Sequence, residues 1–156
     1  MKAVRERCVL KIAIASDHAG FHLKNHLRDI LRKDGYEVED LGADGTDSSD
    51  YPDYAVLVAR AVSRGEADRG VLICGTGVGM SLAANRVPGV RAAAVSEPVT
   101  ARLSREHNDA NIVCIGERIV GPEMALDIVR TFLSTGFSQG ERHIRRISKI
   151  ASLDPS

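Results

Sequence analysis

The chain has 156 residues, with 21 basic and 21 acidic side chains, so its formal charge at neutral pH is zero. A balanced surface offers no summed field to draw in nucleic acid or an anionic membrane, and any anion site has to be local. Hydrophobic residues at 44% and charged residues at 27% are ordinary for a folded domain and exclude disordered, collagenous and fibrous classes. The length suits one domain, residues 11–156, after a short extension of mixed charge at residues 1–10. No apolar run approaches the roughly 20 residues that span a bilayer. Lys11 breaks the best N-terminal candidate, Cys8 to Ser16, so no secretory leader is expected. Cys8, Cys74 and Cys114 are odd in number and widely spaced, which argues against both a disulfide framework and a C-x-x-C zinc knuckle. Reduced thiols in the cytoplasm are the simplest reading.

Lys11 to Ala15 (KIAIA) is a short β-branched run that reads as a strand, and Phe21 to Lys33 places Leu23, Leu27, Ile30 and Leu31 on one helical face. Gly35 stops that helix, Tyr36 to Leu41 alternates as a second strand, and Gly42 to Asp50 is a polar loop. A helix over Tyr54 to Ser63, a buried strand over Gly70 to Cys74 and a short helix over Met80 to Asn85 follow. Arg91 to Val95 and Asn111 to Ile115 read as the last two strands, separated by a helix over Thr100 to Glu106. Pro122 to Leu133 is helical, with its proline in the first turn, and Glu141 to Ala151 is a basic C-terminal helix. Strands that alternate with helices and lack a polar face predict an α/β fold. It is a Rossmann-like three-layer α/β/α sandwich on a five-stranded parallel sheet, with ligands beyond the carboxyl ends of the strands.

The strongest local signal is VLICGTGVG, residues 71–79. Gly75, Gly77 and Gly79 let backbone N–H groups turn toward a ligand before a helix starts, which makes an anion hole; a purely structural tight turn is the alternative. The loop lacks the G-K-S/T of a Walker loop, and Met80 stands where a dinucleotide fingerprint needs glycine. Cys74 at its mouth is either a base or nucleophile beside helix-start donors, or a small buried hydrophobe, as Cys114 is expected to be. His107 falls at a helix end, as an acid/base group or as a cap that meets the helix dipole. Asp17 and His18 follow the first strand and read either as site residues or as a helix N-cap. Asp17 and Cys74 should open on the same sheet edge. Arg142 and Arg146 share one helical face and suit a phosphate grip or a solvated basic surface. A nucleic-acid groove is disfavoured because no interleaved aromatics accompany these charges.

Taken together, ASDHAGFHLK, DYPDYA, ICGTGVGMSLAANRVPGVRAA, SREHNDANIVCIGERIVG and GERHIRRISKI resemble the ribose-5-phosphate isomerase B and galactose-6-phosphate isomerase family, from about Lys11 to Ile150. The resemblance implies an aldose-ketose isomerase of the pentose phosphate pathway, free of cofactor and metal, that interconverts ribose and ribulose 5-phosphates through a cis-enediolate. It makes Cys74 the C2 base, residues Gly75 to Gly79 with Val78 the anion hole, Thr76 a helper and His107 the ring opener. Asp17 and His18 become contacts to the sugar and its phosphate, Tyr51 a neighbour of the sugar face and Asn108 a hydroxyl or enediolate partner, and Arg118, Arg142 and Arg146, with His143, phosphate ligands. A family branch without the cysteine carries a glutamate base where this chain has Met80, which places the chain in the cysteine branch. The resemblance also implies a homodimer or tetramer with the site at the subunit interface. Six-carbon sugar phosphates, such as allose or galactose 6-phosphate, are the nearest rival substrates. A non-catalytic phosphate- or nucleotide-binding module is the rival from another class.

Overall fold

A computed structural model describes residues 9–155, so Cys8 and most of the N-terminal extension lie outside the described residues. Five strands form one parallel sheet: β1 (Lys11–Ser16), β2 (Glu37–Asp40), β3 (Arg69–Cys74), β4 (Ala92–Ala94) and β5 (Ile112–Gly116), in the spatial order β2-β1-β3-β5-β4. The helices are α1 (Phe21–Lys33), α2 (Tyr51–Ser63), α3 (Val78–Ala84), α4 (Pro98–Asn108), α5 (Pro122–Ser134) and α6 (Glu141–Ala151).

Both faces of the sheet are apolar, and the strand period of two sends alternate residues to opposite cores. Ile12, Ile14, Val71, Ile73, Val113 and Ile115 face one layer, where Leu27 and Leu31 of α1, Ala101 of α4 and Phe132 of α5 bury against them. Ala13, Ala15, Leu72, Cys74, Ile112 and Cys114 face the other, against Val58 and Ala59 of α2 and Met80 and Ala84 of α3. This is the expected α/β/α sandwich. No helix among the described residues is long and apolar enough to cross a membrane.

The element boundaries differ from the sequence reading where caps decide them. Helix α2 starts at Tyr51 rather than Tyr54, because Pro52 fits the first turn, where its missing N–H is harmless. Helix α3 starts at Val78, behind Gly77 at a φ of 82°. Helix α4 starts at Pro98, because the Glu97 carboxylate accepts from the N–H groups of Val99 (2.6 Å) and Thr100 (2.7 Å). A 3-10 turn over His18–Gly20, absent from the reading, precedes α1.

From β1 the chain crosses to β2 on one side and then returns to β3 on the other side of β1. The loops that leave β1 and β3 therefore diverge, and a crevice opens between them at the carboxyl edge of the sheet.

Candidate active site

Asp17 follows β1 directly, is buried, and caps the 3-10 turn: its Oδ1 accepts from the N–H groups of Ala19 at 3.0 Å and Gly20 at 3.2 Å. The next residue, His18, is bound twice to Ser49. The Ser49 N–H donates to His18 Nδ1 at 3.1 Å, and the His18 N–H donates to Ser49 Oγ at 3.1 Å.

Across the crevice, β3 ends at the buried Cys74, whose Sγ accepts the Gly77 N–H at 3.1 Å. The glycine loop after it is shaped by close approaches. A Cβ on Gly116, where β5 ends, would lie 2.6 Å from the Thr76 backbone, so the 75–79 loop rests directly on that glycine. A Cβ on Gly79 would lie 2.7 Å from the Tyr51 ring, which covers the start of α3. Arg118 donates its N–H to the Gly75 carbonyl at 3.1 Å, and its guanidinium would lie 3.3 Å from a Cβ at Gly75. These residues enclose a cleft of about 230 Å³, lined by Asp17, His18, Tyr51 and Cys74 with Gly75, Thr76, Gly79 and Arg118. Val78 lies outside it, exposed over a neighbouring hollow shared with Thr76, Ser96 and Ile119. A larger hollow of about 380 Å³ between α1 and the loop after β5 holds none of the candidate residues.

The remaining candidates form a second cluster. Helix α4 descends from the carboxyl edge to the amino edge, so His107 and Asn108 at its end lie near the start of β5. The His107 ring stacks on the His143 ring with centroids 4.5 Å apart and planes 11° from parallel. Arg142 Nε donates to His143 Nε2 at 3.4 Å, and Arg142 and Arg146 are exposed on α6. Burial lowers the His143 pKa below its ordinary value, helped by the neighbouring His107, Arg142 and Arg146.

Strand β3 rises about 13 Å over the four steps from Gly70 to Cys74, at roughly 3.3 Å per residue. The two clusters thus sit at opposite edges of the sheet, and one chain does not bring His107, Asn108 or the α6 arginines to Cys74. Of the other cysteines, Cys114 is fully buried, and burial followed by the charge of Cys74 pushes its thiol far above the ordinary range. It fills the core as expected. Ser49 was missed by the sequence reading, because a contact 31 residues away in a loop without periodicity leaves no local signal.

Fold and cleft define a doubly wound α/β protein with a thiol and a glycine loop at its topological switch point. Residues 12–150 match the Ribose/Galactose Isomerase family. The ribose-5-phosphate isomerase B of Escherichia coli is 47% identical over 92% of this chain and 96% of its own length. The structure of Clostridium thermocellum ribose-5-phosphate isomerase B superposes with a TM-score of 0.91, at 55% identity, over 92% of this chain and 97% of that one. That of the Mycoplasma genitalium ribose-5-phosphate isomerase B with bound ribulose-5-phosphate gives a TM-score of 0.87, at 45% identity, over 91% and 94%. The chain belongs to the ribose/galactose isomerase family.

Proposed function

We propose that the protein interconverts D-ribose 5-phosphate and D-ribulose 5-phosphate, with Cys74 as the base that moves the proton between C2 and C1. The observation that carries this reading is the thiol of Cys74 at the mouth of the glycine loop, inside the cleft that Asp17, His18 and Arg118 share.

The chemistry follows from the residue types. With the sugar in its open form, the Cys74 thiolate takes the C2 proton and the electron pair left behind forms the C1–C2 double bond of a cis-enediolate. Charge builds on O1, where the N–H groups of the 75–79 loop other than those of Gly77 and Val78, which bond Cys74 Sγ and Thr76 Oγ1, can hold it. Return of the proton to C1 and loss of the O2 proton give the ketose. C1 is reduced by what C2 loses, so the step balances internally. Thr76, which lines the cleft beside Gly75, passes the hydroxyl proton between O2 and O1 through its Oγ1. Arg118 supplies a fixed positive charge for the phosphate.

The ring-opening acid/base His107, with Asn108, Arg142, Arg146 and His143, is contributed by a second copy of the chain. The separation of the two clusters within one chain supports this. So do the apolar side chains left exposed on α3 (Val78, Leu82) and α6 (Ile144, Ile150). A two-fold pair that covers these surfaces sets each protomer's basic cluster against its partner's cleft.

The test is turnover of ribose 5-phosphate by purified protein, beside allose and galactose 6-phosphates, for the wild type and Cys74→Ala. The variant should keep its circular dichroism and melting curve and lose at least the 10²- to 10⁴-fold typical of a missing general base. Full turnover by Cys74→Ala would refute the base assignment. Preference for a six-carbon phosphate would refute the substrate.

A further inference from the structure

We propose that Ser49 is a positioning residue that locks His18 in the Nε2–H tautomer, so that His18 meets the substrate as a hydrogen-bond donor and never as the proton-abstracting base. The proposal deepens the isomerase reading and rests on it.

A backbone amide is an obligate donor, so the 3.1 Å contact from the Ser49 N–H requires a lone pair on His18 Nδ1. Neutral imidazole has a single N–H, which must then be on Nε2. The reverse bond, from the His18 N–H to Ser49 Oγ, also at 3.1 Å, prevents the ring and the loop from sliding past each other. Because His18 lines the cleft with Nδ1 already committed, Nε2–H is the only ring group left for a ligand. Phosphate, carbonyl and enediolate oxygens all accept, so this tautomer is matched to the substrate. The other tautomer would turn a lone pair toward an anion.

The loop that presents Ser49 is itself anchored. Its first residues pair with the end of β1: the Ser16 N–H donates to the Gly42 carbonyl and the Ala43 N–H to the Ser16 carbonyl, each at 2.6 Å. Buried Lys24 adds a bond from Nζ to the Ala43 carbonyl at 2.7 Å. Its far end continues into α2 at Tyr51, the residue that lies against Gly79. Loop 42–50 therefore runs between two anchored ends, and Ser49 reaches His18 close to the second of them.

Long-range ¹H–¹⁵N spectra of the labelled full chain test the tautomer, with His18→Gln identifying the His18 ring signals by their disappearance. The expected result is a protonated Nε2 and a bare Nδ1 in the wild type and in Ser49→Ala, which keeps its N–H. Ser49→Pro, which removes that N–H, should release the ring to a tautomer mixture and raise KM for ribose 5-phosphate about tenfold, the loss of one charge-assisted hydrogen bond, with a smaller change in kcat. His18→Gln, whose amide nitrogen reaches the Nε2 position, should retain more activity than His18→Asn, whose amide stops near Nδ1. A wild-type ring protonated on Nδ1 would overturn the proposal whether or not Ser49→Pro folds, and so would a His18→Asn that outperforms His18→Gln. The spectra need no turnover, so they stand or fall separately from the isomerase assignment, which Cys74→Ala tests.

Discussion

Replacing Asp40 with Asn should be among the most costly single changes outside the cleft, because it strands a buried ammonium. Lys24 is 1% exposed, and its Nζ donates to both Asp40 oxygens at 2.9 and 3.0 Å and to the Ala43 carbonyl at 2.7 Å. Asp40 also accepts from Arg28 at 2.6 Å and from the Gly42 N–H at 3.0 Å. Removing one partner of a buried pair costs about 3–5 kcal/mol, and the partial exposure of Asp40 argues for the lower end, about 3 kcal/mol. For a chain of this length that is a fall of about 6–12 °C in Tm, and a large share of a total stability of about 5–15 kcal/mol. Urea and thermal denaturation followed by circular dichroism would measure it. Adding Lys24→Met to Asp40→Asn should recover much of the loss, since the stranded charge is gone. A loss under about 1 kcal/mol in the single variant, or a double variant no better than the single, would refute the reasoning. The pH dependence has a definite sign. Burial alone would raise the Asp40 pKa, but Lys24, the Gly42 N–H and Arg28 outweigh it and hold the carboxyl below its ordinary 3.8. The stabilisation is therefore complete above the unfolded value and fades as pH falls through the lower folded one, so wild type and Asp40→Asn should converge in strong acid.

If the site is built from two chains, mixing Cys74→Ala, which lacks the base, with His107→Asn, which lacks the ring opener, should restore turnover of the cyclic sugar toward about a quarter of the sites, since each mixed pair regains one intact site. Continued inactivity after proven subunit exchange would place both groups in one chain's site. Gly116→Ala should cost about 1–3 kcal/mol and depress turnover, because its Cβ would press on the Thr76 backbone; denaturant titration measures the first effect and steady-state kinetics the second. Arg142→Ala and Arg146→Ala should raise KM for ribose 5-phosphate while leaving the melting curve near that of the wild type; an unchanged KM would count against a phosphate role. His143 should titrate below the ordinary histidine range in NMR spectra, for burial and then for its cationic neighbours. Its folded value lies below its unfolded one, so its contribution to stability is held above the unfolded value and lost as pH falls through the folded one. Inorganic phosphate bound between the arginines should move that titration upward.

The fold was legible because two periods alternate cleanly along the chain: apolar strands such as KIAIA, and helices such as FHLKNHLRDILRK with one buried face. What the periods could not show was where caps intervene. Glu97 reaches forward to Thr100, and Gly77 adopts a backbone that side chains resist, so each adjoining helix begins two residues earlier than its apolar pattern suggests. In the cleft, Asp17 and Cys74 were legible as ends of strands that flank the switch point. The separation of His107 from them was also implicit in the sequence. A helix that ends just before a parallel strand begins must end at the amino edge. Tyr51 and Arg118 came only from the resemblance, since nothing in their spacing points inward. Ser49 had no signal at all, because its partner is made adjacent by the crossover between β1 and β2, a tertiary event.

Helix α6 is tied to its own chain lightly: among its residues only His143 is buried. Such an element opens at little cost, so its amides should exchange with solvent far faster than those of β3 or β5 when the chain is dilute. Amide protection along residues 141–151 then becomes a gauge internal to the molecule. If α6 is covered by another copy, its protection must climb with protein concentration while the central strands stay unchanged.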